Sequence, residues 1–406
     1  LKIYNRLPVH PLRKRALQAT EEWMVERMGD GSEGLSAIFP AMLNALMALH
    51  ALGYAPDHPL VEKAEQDFSG LFVDSEEGFR IQPCLSPVWD TAITTIALGE
   101  SGVPKNHPAM QKSAAWLESR EVRFAGDWTA RNPGVEPSGW AFEHANKYYP
   151  DTDDTMMVLM ALRHCAPADP VARESLHRRA LKWLLSFQCD DGGWAAFDKN
   201  ITAAWLEHVP FADHNAILDP TCSDLTARVL ELLGLIGHDP KSPEVLRATA
   251  MLRRTQEADG SWYGRWGVNY IYGTWQVLRG LAAIGTNMDQ EWIRRALTWL
   301  ESCQNDDGSW GETCESYNFP ALKGRGAGTP SQTAWALMGL CAAGDPSRES
   351  IRRGIAWLTA NQNSDGSWTE DYTTGTGFPC VFYLKYDMYR NHFPLLALSA
   401  YSKLLG

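Results

Sequence analysis

The chain has 406 residues, 37 Lys and Arg against 49 Asp and Glu, a formal net charge of −12, and 45% hydrophobic residues. That length accommodates two domains or one large helical one, and that charge argues against nucleic acid as a partner. Eight scattered cysteines with no CxxC and no Cys/His pairing at zinc spacing point to reduced, cytosolic thiols rather than a disulfide framework, and phosphate-cradling Gly-rich loops are absent.

In chain order, the first feature is a basic, apolar start. Lys2, Arg6, Arg13, Lys14 and Arg15 precede the first acid, Glu21, and interleave with Leu1, Ile3, Leu7, Val9 and Leu12. In an acidic protein this composition suits an anionic membrane surface and equally a solvated surface stretch. No apolar run reaches the length of a membrane span. Position 1 is Leu, not Met, and no signal peptide is visible, so the chain reads as part of something longer.

Repeats come next and account for much of the count of 17 Trp. Trp23 to Gly34 is a faint copy, and Ala114 to Trp128 a looser one with Arg120 where the others have Gln. Four clear copies follow: Ala180 to Trp194 with Gln188, Met251 to Trp262 with Gln256, Ala296 to Trp310 with Gln304, and Gly354 to Trp368 with Gln362. Each reads as an amphipathic helix ending near the Gln, then an Asp-Gly reversal, because Gly tolerates positive φ. The closing Trp is expected to lie against the Gln and the start of the next helix. Further helices, such as Thr226 to Leu235 and Ser331 to Ala342, sit between copies, and strand-like alternation is rare. The fold class predicted is all-α, helical hairpins closed most simply as an α/α barrel, with the repeat Trp residues as structural staples.

Between the second and third copies lies Pro150-Asp151-Thr152-Asp153-Asp154, running into the apolar stretch Met156 to Leu162. Taken alone, D-x-D-D at a helix start is a cap, since Asp favours that position and the positive dipole end. The other reading is chemical. Three crowded carboxylates repel, and burial raises at least one pKa, so one acid stays protonated among apolar walls.

The repeats together with D-x-D-D, and the strings Ser86-Pro87-Val88-Trp89-Asp90-Thr91, Gly264-Arg265-Trp266-Gly267-Val268-Asn269-Tyr270, Thr329-Pro330-Ser331-Gln332-Thr333-Ala334-Trp335 and Gly375-Thr376-Gly377-Phe378-Pro379, resemble the bacterial squalene-hopene cyclases along the whole chain. The chain looks like the C-terminal two-thirds of such a protein. The resemblance implies two α/α domains, one inserted in the other: residues 1–84 as the incomplete end of the inserted domain and residues 85–406 as the catalytic barrel. It also implies squalene as substrate, no cofactor and no metal. It further implies a peripheral, monotopic place on the cytoplasmic face of the cell membrane, and leaves a homodimer open.

By the same resemblance, Asp153 is the acid that protonates a terminal alkene, and Asp151 and Asp154 are ionised neighbours that orient it. Arg228 stands where several relatives carry His. Arg stays protonated, so it cannot itself lose and regain the proton, and re-protonation then runs through water or another acid. Asp224, at i, i+4 on the same helix, is expected to complete this network. A migrating carbocation needs aromatic faces that stabilise without trapping it. The resemblance picks Trp89, Phe142, Trp266, Phe378 and Phe382, with Tyr386 and Tyr389 nearby. Departures are Phe197 where many relatives have Tyr, Phe39 after Ile38 where some have Gln, and Glu143 where some have Gln; the last two bear on how the final cation is quenched, as hopene or hopanol.

Other readings remain beside this one. Oxidosqualene cyclases carry a D-C-T-A-E type motif instead, and class II diterpene cyclases share D-x-D-D without this density of repeats. A cyclase of partly cyclised C35 terpenes would keep the same acid. A non-catalytic isoprenoid-binding α/α barrel, or a zinc-dependent prenyltransferase subunit, would not require three crowded aspartates.

Overall fold

A computed structural model describes residues 6, 10–29, 31–76, 78–208 and 217–406. Of the basic, apolar start, Leu1, Lys2, Ile3, Leu7 and Val9 lie outside the described residues. The chain divides into two compact units, one comprising residues 1–87 with 141–149, the other 88–140 with 150–406.

The first unit contains α1 (Arg13–Arg27), α2 (Phe39–Leu52), α3 (Pro59–Ser69) and a hairpin of β1 (Phe72–Ser75) and β2 (Gly78–Ile81), paired antiparallel with Phe72 opposite Ile81. Met24, Met28, Ala45, Leu49 and Ala64 form its buried cluster. Proline opens α3 at its first turn, where its missing N–H costs nothing, and Gly53 ends α2 in the left-handed conformation.

The second unit contains α4 (Pro87–Glu100), α5 (Pro108–Ser119), α6 (Thr152–Leu162), α7 (Pro170–Ser186), α8 (Ser223–Leu235), α9 (Pro243–Arg254), α10 (Tyr270–Ala283), α11 (Glu291–Ser302), α12 (Pro330–Cys341), α13 (Glu349–Ala360), the hairpin β3 (Gly375–Phe378) and β4 (Phe382–Leu384), and α14 (Tyr389–Leu405). Burial sorts these helices into two rings. Every residue of α6 and of α12 is buried, as are Ser223 to Leu233 of α8. A helix apolar and covered all round is enclosed by others. By contrast α11 buries one stripe, Trp292, Ile293, Ala296, Leu297, Trp299 and Leu300, which is the amphipathic pattern of an outer helix. In the inner ring α6 packs on α8, α8 on α10, α10 on α12 and α12 on α14. The ring closes where Trp89 Nε1 of α4 donates to Tyr389 Oη of α14 at 2.8 Å and Glu100 pairs with Lys403. This is the all-α, α/α-barrel class that the repeats predict.

The repeats act as joints. The indole N–H of Trp194, Trp262, Trp310 and Trp368 donates to the carbonyl of Leu184, Leu252, Leu300 and Leu358 at 2.7–2.9 Å, satisfying an orphan acceptor at the end of an outer helix. The backbone N–H of the first three Trp residues donates to Thr226, Thr274 and Thr333 on the next inner helix at 3.0 Å. The Gln side chain does something the sequence did not foretell. Gln188, Gln256 and Gln304 each donate to the carbonyl of the turn glycine and to a carbonyl in the first turn of the next outer helix: Glu244, Trp292 and Ser350. Between those partners the turn passes close by. Gly260 has φ 99°, and a Cβ there would sit 2.7 Å from the Arg295 carbonyl carbon. The looser copy also needs correction. Its closing residue is Trp140, not Trp128: Trp140 Nε1 donates to Leu117 O at 2.7 Å and its backbone N–H to Thr155 Oγ1 at 3.1 Å. The segment between Leu117 and Trp140 is longer than in the other copies, which hides the correspondence.

Candidate active site

Asp151, Thr152, Asp153 and Asp154 are all buried at the start of α6. Asp151 is the N-cap, its Oδ1 accepting the Asp154 N–H at 2.7 Å, and its own N–H donates to Trp140 O at 2.9 Å. Capping therefore belongs to Asp151, which leaves the Asp153 side chain for other partners. Thr152 fixes the register. Its N–H donates to Ala196 O at 2.8 Å and its hydroxyl to Ala195 O at 2.7 Å.

Asp153 Oδ1 accepts a hydrogen bond from Arg228 Nη1, and Arg228 Nη2 donates to Tyr272 Oη at 2.6 Å. The guanidinium lies 5.2 Å from the Trp89 ring centroid and 6.0 Å from that of Tyr272, within cation–π reach. Burial raises the Asp153 carboxyl above the ordinary carboxylate range; Arg228 pulls it back, and nearby Asp224 adds to the rise. Burial disfavours charge on Arg228, but Asp153 and Tyr272 outweigh it and hold the guanidinium protonated. Among the described residues Arg228 pairs with Asp153 rather than with Asp224, its i, i+4 neighbour. Asp224 is fully buried, and its Oδ2 accepts the backbone N–H groups of Arg265 at 2.8 Å and Trp266 at 2.9 Å. It thus holds the turn that carries Trp266.

The aromatic residues fall into groups. Trp89 is 5% exposed and bonded to Tyr389, which is 2% exposed; Tyr386 stacks on Tyr389 with centroids 4.3 Å apart and planes 12° apart. Phe197 meets Trp266 edge to face at 6.4 Å, and Phe378 and Phe382 face each other across the β3–β4 hairpin at 6.2 Å. Phe197 and Trp266 hang from turns gripped by carboxylates; Phe378 and Phe382 are on the hairpin. Ile38, Phe39 and Phe142 belong to the first unit. Ile38 bridges Cys84, the Phe39 N–H donates to Pro83 O at 2.8 Å, and the Phe39 ring lies 5.3 Å from Phe68. Phe142 is half-buried, and the adjacent Glu143 is 7% exposed, its carboxyl pushed up to about 7 by burial.

Several residues escaped the sequence reading. Tyr272 is the second partner of Arg228. Beyond it, a polar stripe runs along two buried helices: Asp224, Arg228 and Glu231 on α8, and Tyr272, Gln276 and Arg279 on α10. The i, i+4, i+7 spacing of polar residues in apolar helices was the available signal. Glu231 pairs with Arg279 at 2.5 Å, and a cavity of about 40 Å³ runs between Arg228, Gln276, Glu231 and His164. Gln276 is 1% exposed, and among the described residues its Oε1 has no hydrogen-bond partner. Such a space holds water when polar groups line it. Among the described residues no cluster of three His, Cys, Asp or Glu side chains could hold a metal ion, and no helix is long and apolar enough to cross a membrane.

Comparison with known proteins bears on this geometry. The family model described as squalene-hopene cyclase C-terminal domain matches residues 85–403, and that of the N-terminal domain matches residues 1–77. A squalene–hopene cyclase of Bradyrhizobium diazoefficiens is 43% identical over 409 residues, which cover 100% of this chain and 62% of the relative. A dammaradiene synthase of Dryopteris crassirhizoma is 41% identical over 98% of this chain and 62% of the relative. The chain spans about three fifths of the length of the curated relatives it matches. Among solved structures, the ent-copalyl diphosphate synthase from Streptomyces platensis matches with a TM-score of 0.57 at 21% identity, over 97% of this chain and 69% of that one, which shows the fold.

Proposed function

The chain belongs to the squalene-hopene cyclase family, and from that premise we propose that the protein it comes from is a class II triterpene cyclase, an isomerase that folds squalene into hopene, or hopanol where water captures the last cation. The observation that carries this is the buried Asp153, raised above the ordinary range and held by Arg228 beneath the Trp89 face. Squalene has only alkenes to ionise. The π electrons of a terminal alkene take the proton from Asp153, a C–H bond forms, and a tertiary cation remains. Successive alkenes attack it, each closing a ring and moving the charge onward, past Trp89, Trp266, Phe378 and Phe382, with Phe142 serving an early cation. Loss of a proton from the final cation gives hopene.

Asp153 is left ionised, which is the state its contact with Arg228 favours. In the acid state the proton sits on Oδ2, the oxygen Arg228 does not hold. Arg228 keeps its own proton, so Asp153 regains one through water. The small cavity beside Arg228, which Glu231, Gln276 and His164 also line among mainly apolar side chains, supports that route. The domain reading follows the family: residues up to about 84 form part of the inserted domain and the rest the catalytic barrel. So does a peripheral place on the cytoplasmic face of the membrane, where squalene dissolves, and a homodimer belongs to the same reading. The decisive experiment is incubation of the full-length protein with squalene and analysis of the lipid extract by gas chromatography–mass spectrometry. Pentacyclic hopene or hopanol is expected. A folded protein that leaves squalene intact sinks the substrate, and co-sedimentation with anionic vesicles checks the membrane association.

A further inference from the structure

We propose that Asp219 is a positioning residue that sets the proton donor and the Phe197–Trp266 aromatic pair in one register, and so governs how far cyclisation runs; this rests on the cyclase reading above. Asp219 lies on the loop before α8, outside the D-x-D-D motif. Its Oδ2 accepts the backbone N–H groups of Phe197 at 2.6 Å and Asp198 at 2.9 Å, and its Oδ1 approaches the N–H of Ala196 at 3.4 Å. One carboxylate thus grips three consecutive amides of an irregular segment. Hydrogen bonds to a charged acceptor are about twice as strong as neutral ones, and no ladder of secondary structure offers these amides an alternative.

The carbonyl side of the same segment points the other way. Ala195 O and Ala196 O accept the hydroxyl and the N–H of Thr152, the residue next to Asp153. The segment is therefore a strut: Asp219 holds its donors, and its acceptors hold the first turn of the helix that carries the acid. At its end Phe197, 38% exposed, places its ring edge to face with Trp266, whose own N–H is held by Asp224. Two carboxylates, Asp219 on the loop before α8 and Asp224 in the first turn of α8, fix the two halves of one aromatic contact. A shift of the segment moves Phe197 relative to Trp266 and Thr152 relative to Asp153 together. A displacement on the order of 1 Å at a reacting centre is costly. A cation that meets its aromatic face late has time to lose a proton early.

The test uses full-length enzyme with Asp219→Asn, read in two ways. Asn keeps the size but brings an NH2 group against amide donors. Hydrogen–deuterium exchange of residues 196–198 and 152 is expected to quicken by about tenfold or more, as befits loss of a charge-assisted bond. With squalene, the share of incompletely cyclised products is expected to rise at least about fivefold while substrate is still consumed, unlike a variant lacking the acid. Unchanged exchange, or an unchanged product profile at wild-type rate, overturns the proposal. A wild-type enzyme inert toward squalene refutes the cyclase reading instead, and the exchange result still decides the strut. If Asp219→Asn does not fold, Asp219→Glu, which keeps the charge and displaces it by one methylene, is read in both assays; wild-type exchange and products in that variant overturn the proposal, and a smaller shift in the same direction sustains it.

Discussion

Replacing Asp153 by Asn removes the acidic proton and keeps the shape, so it separates chemistry from support. The chemical effect is set by what remains. Among the described residues the guanidinium over the Trp89 face is ion-paired with Asp153, and Asn cannot protonate an alkene. General acid catalysis contributes about 10²–10⁴-fold, and with no substitute donor the loss of turnover reaches at least the upper end. The structural cost is smaller. Breaking a buried ion pair by removing one charge costs about 3–5 kcal/mol. Here Arg228 keeps the Tyr272 hydroxyl at 2.6 Å and two aromatic faces, and the Asn oxygen still accepts its N–H, a bond of about 1.5–3 kcal/mol to a charged donor. The net cost is about 2 kcal/mol. Asp153→Ala forfeits that bond and approaches the full penalty. Denaturant titrations of both variants beside squalene turnover test this ordering. Near-normal turnover by Asp153→Asn, with product confirmed by mass spectrometry, would refute the acid assignment; equal stability of wild type, Asn and Ala forms would refute the pairing argument.

Two further outcomes follow from the packing and the buried charges. Trp262, fully buried and bonded to Leu252 O at 2.7 Å, is a staple: Trp262→Ala should cost about 3–5 kcal/mol in denaturant unfolding, and a cost under about 1 kcal/mol would make the joint dispensable. Burial raises the Glu143 carboxyl from 4.5 to about 7, so its contribution to stability is present below the unfolded pKa and is lost as pH rises through about 7. Glu143→Gln, which does not titrate, should therefore gain about 2–3 kcal/mol on wild type between pH 4.5 and pH 8. Parallel pH–stability curves for the two proteins would show that Glu143 titrates normally.

What the sequence disclosed followed from local spacing. The Gln–Asp-Gly–Trp copies announced helix, turn and joint because each unit's contacts lie within about one helical hairpin, and the Trp indole reaches back ten residues in four of them. Trp140 was overlooked because its partner, Leu117, lies 23 residues away. Helical spacing predicted Asp224 beside Arg228 on one helix, yet the carboxylate bonds to the Arg265 and Trp266 amides, contributed by a distant turn. Asp219 had no periodicity to mark it, since a loop carboxylate that grips backbone resembles any surface aspartate in a string of letters. Tyr272 fell between two recognisable strings and became visible only through the guanidinium it meets.

The closure of the inner ring has a temporal meaning. The joints built from the repeats connect neighbours in sequence, so each can form as soon as its own hairpin exists. The contact between Trp89 and Tyr389 joins residues 300 apart, and such a contact bears the closure entropy of a very long loop. It is a clasp that fastens only after α14 has been made. Since Trp89 is the ring beneath which Arg228 and Asp153 meet, a chain lacking α14 carries the acid without the contact that holds that ring in place. The geometry links the shielding of the proton donor to the presence of α14.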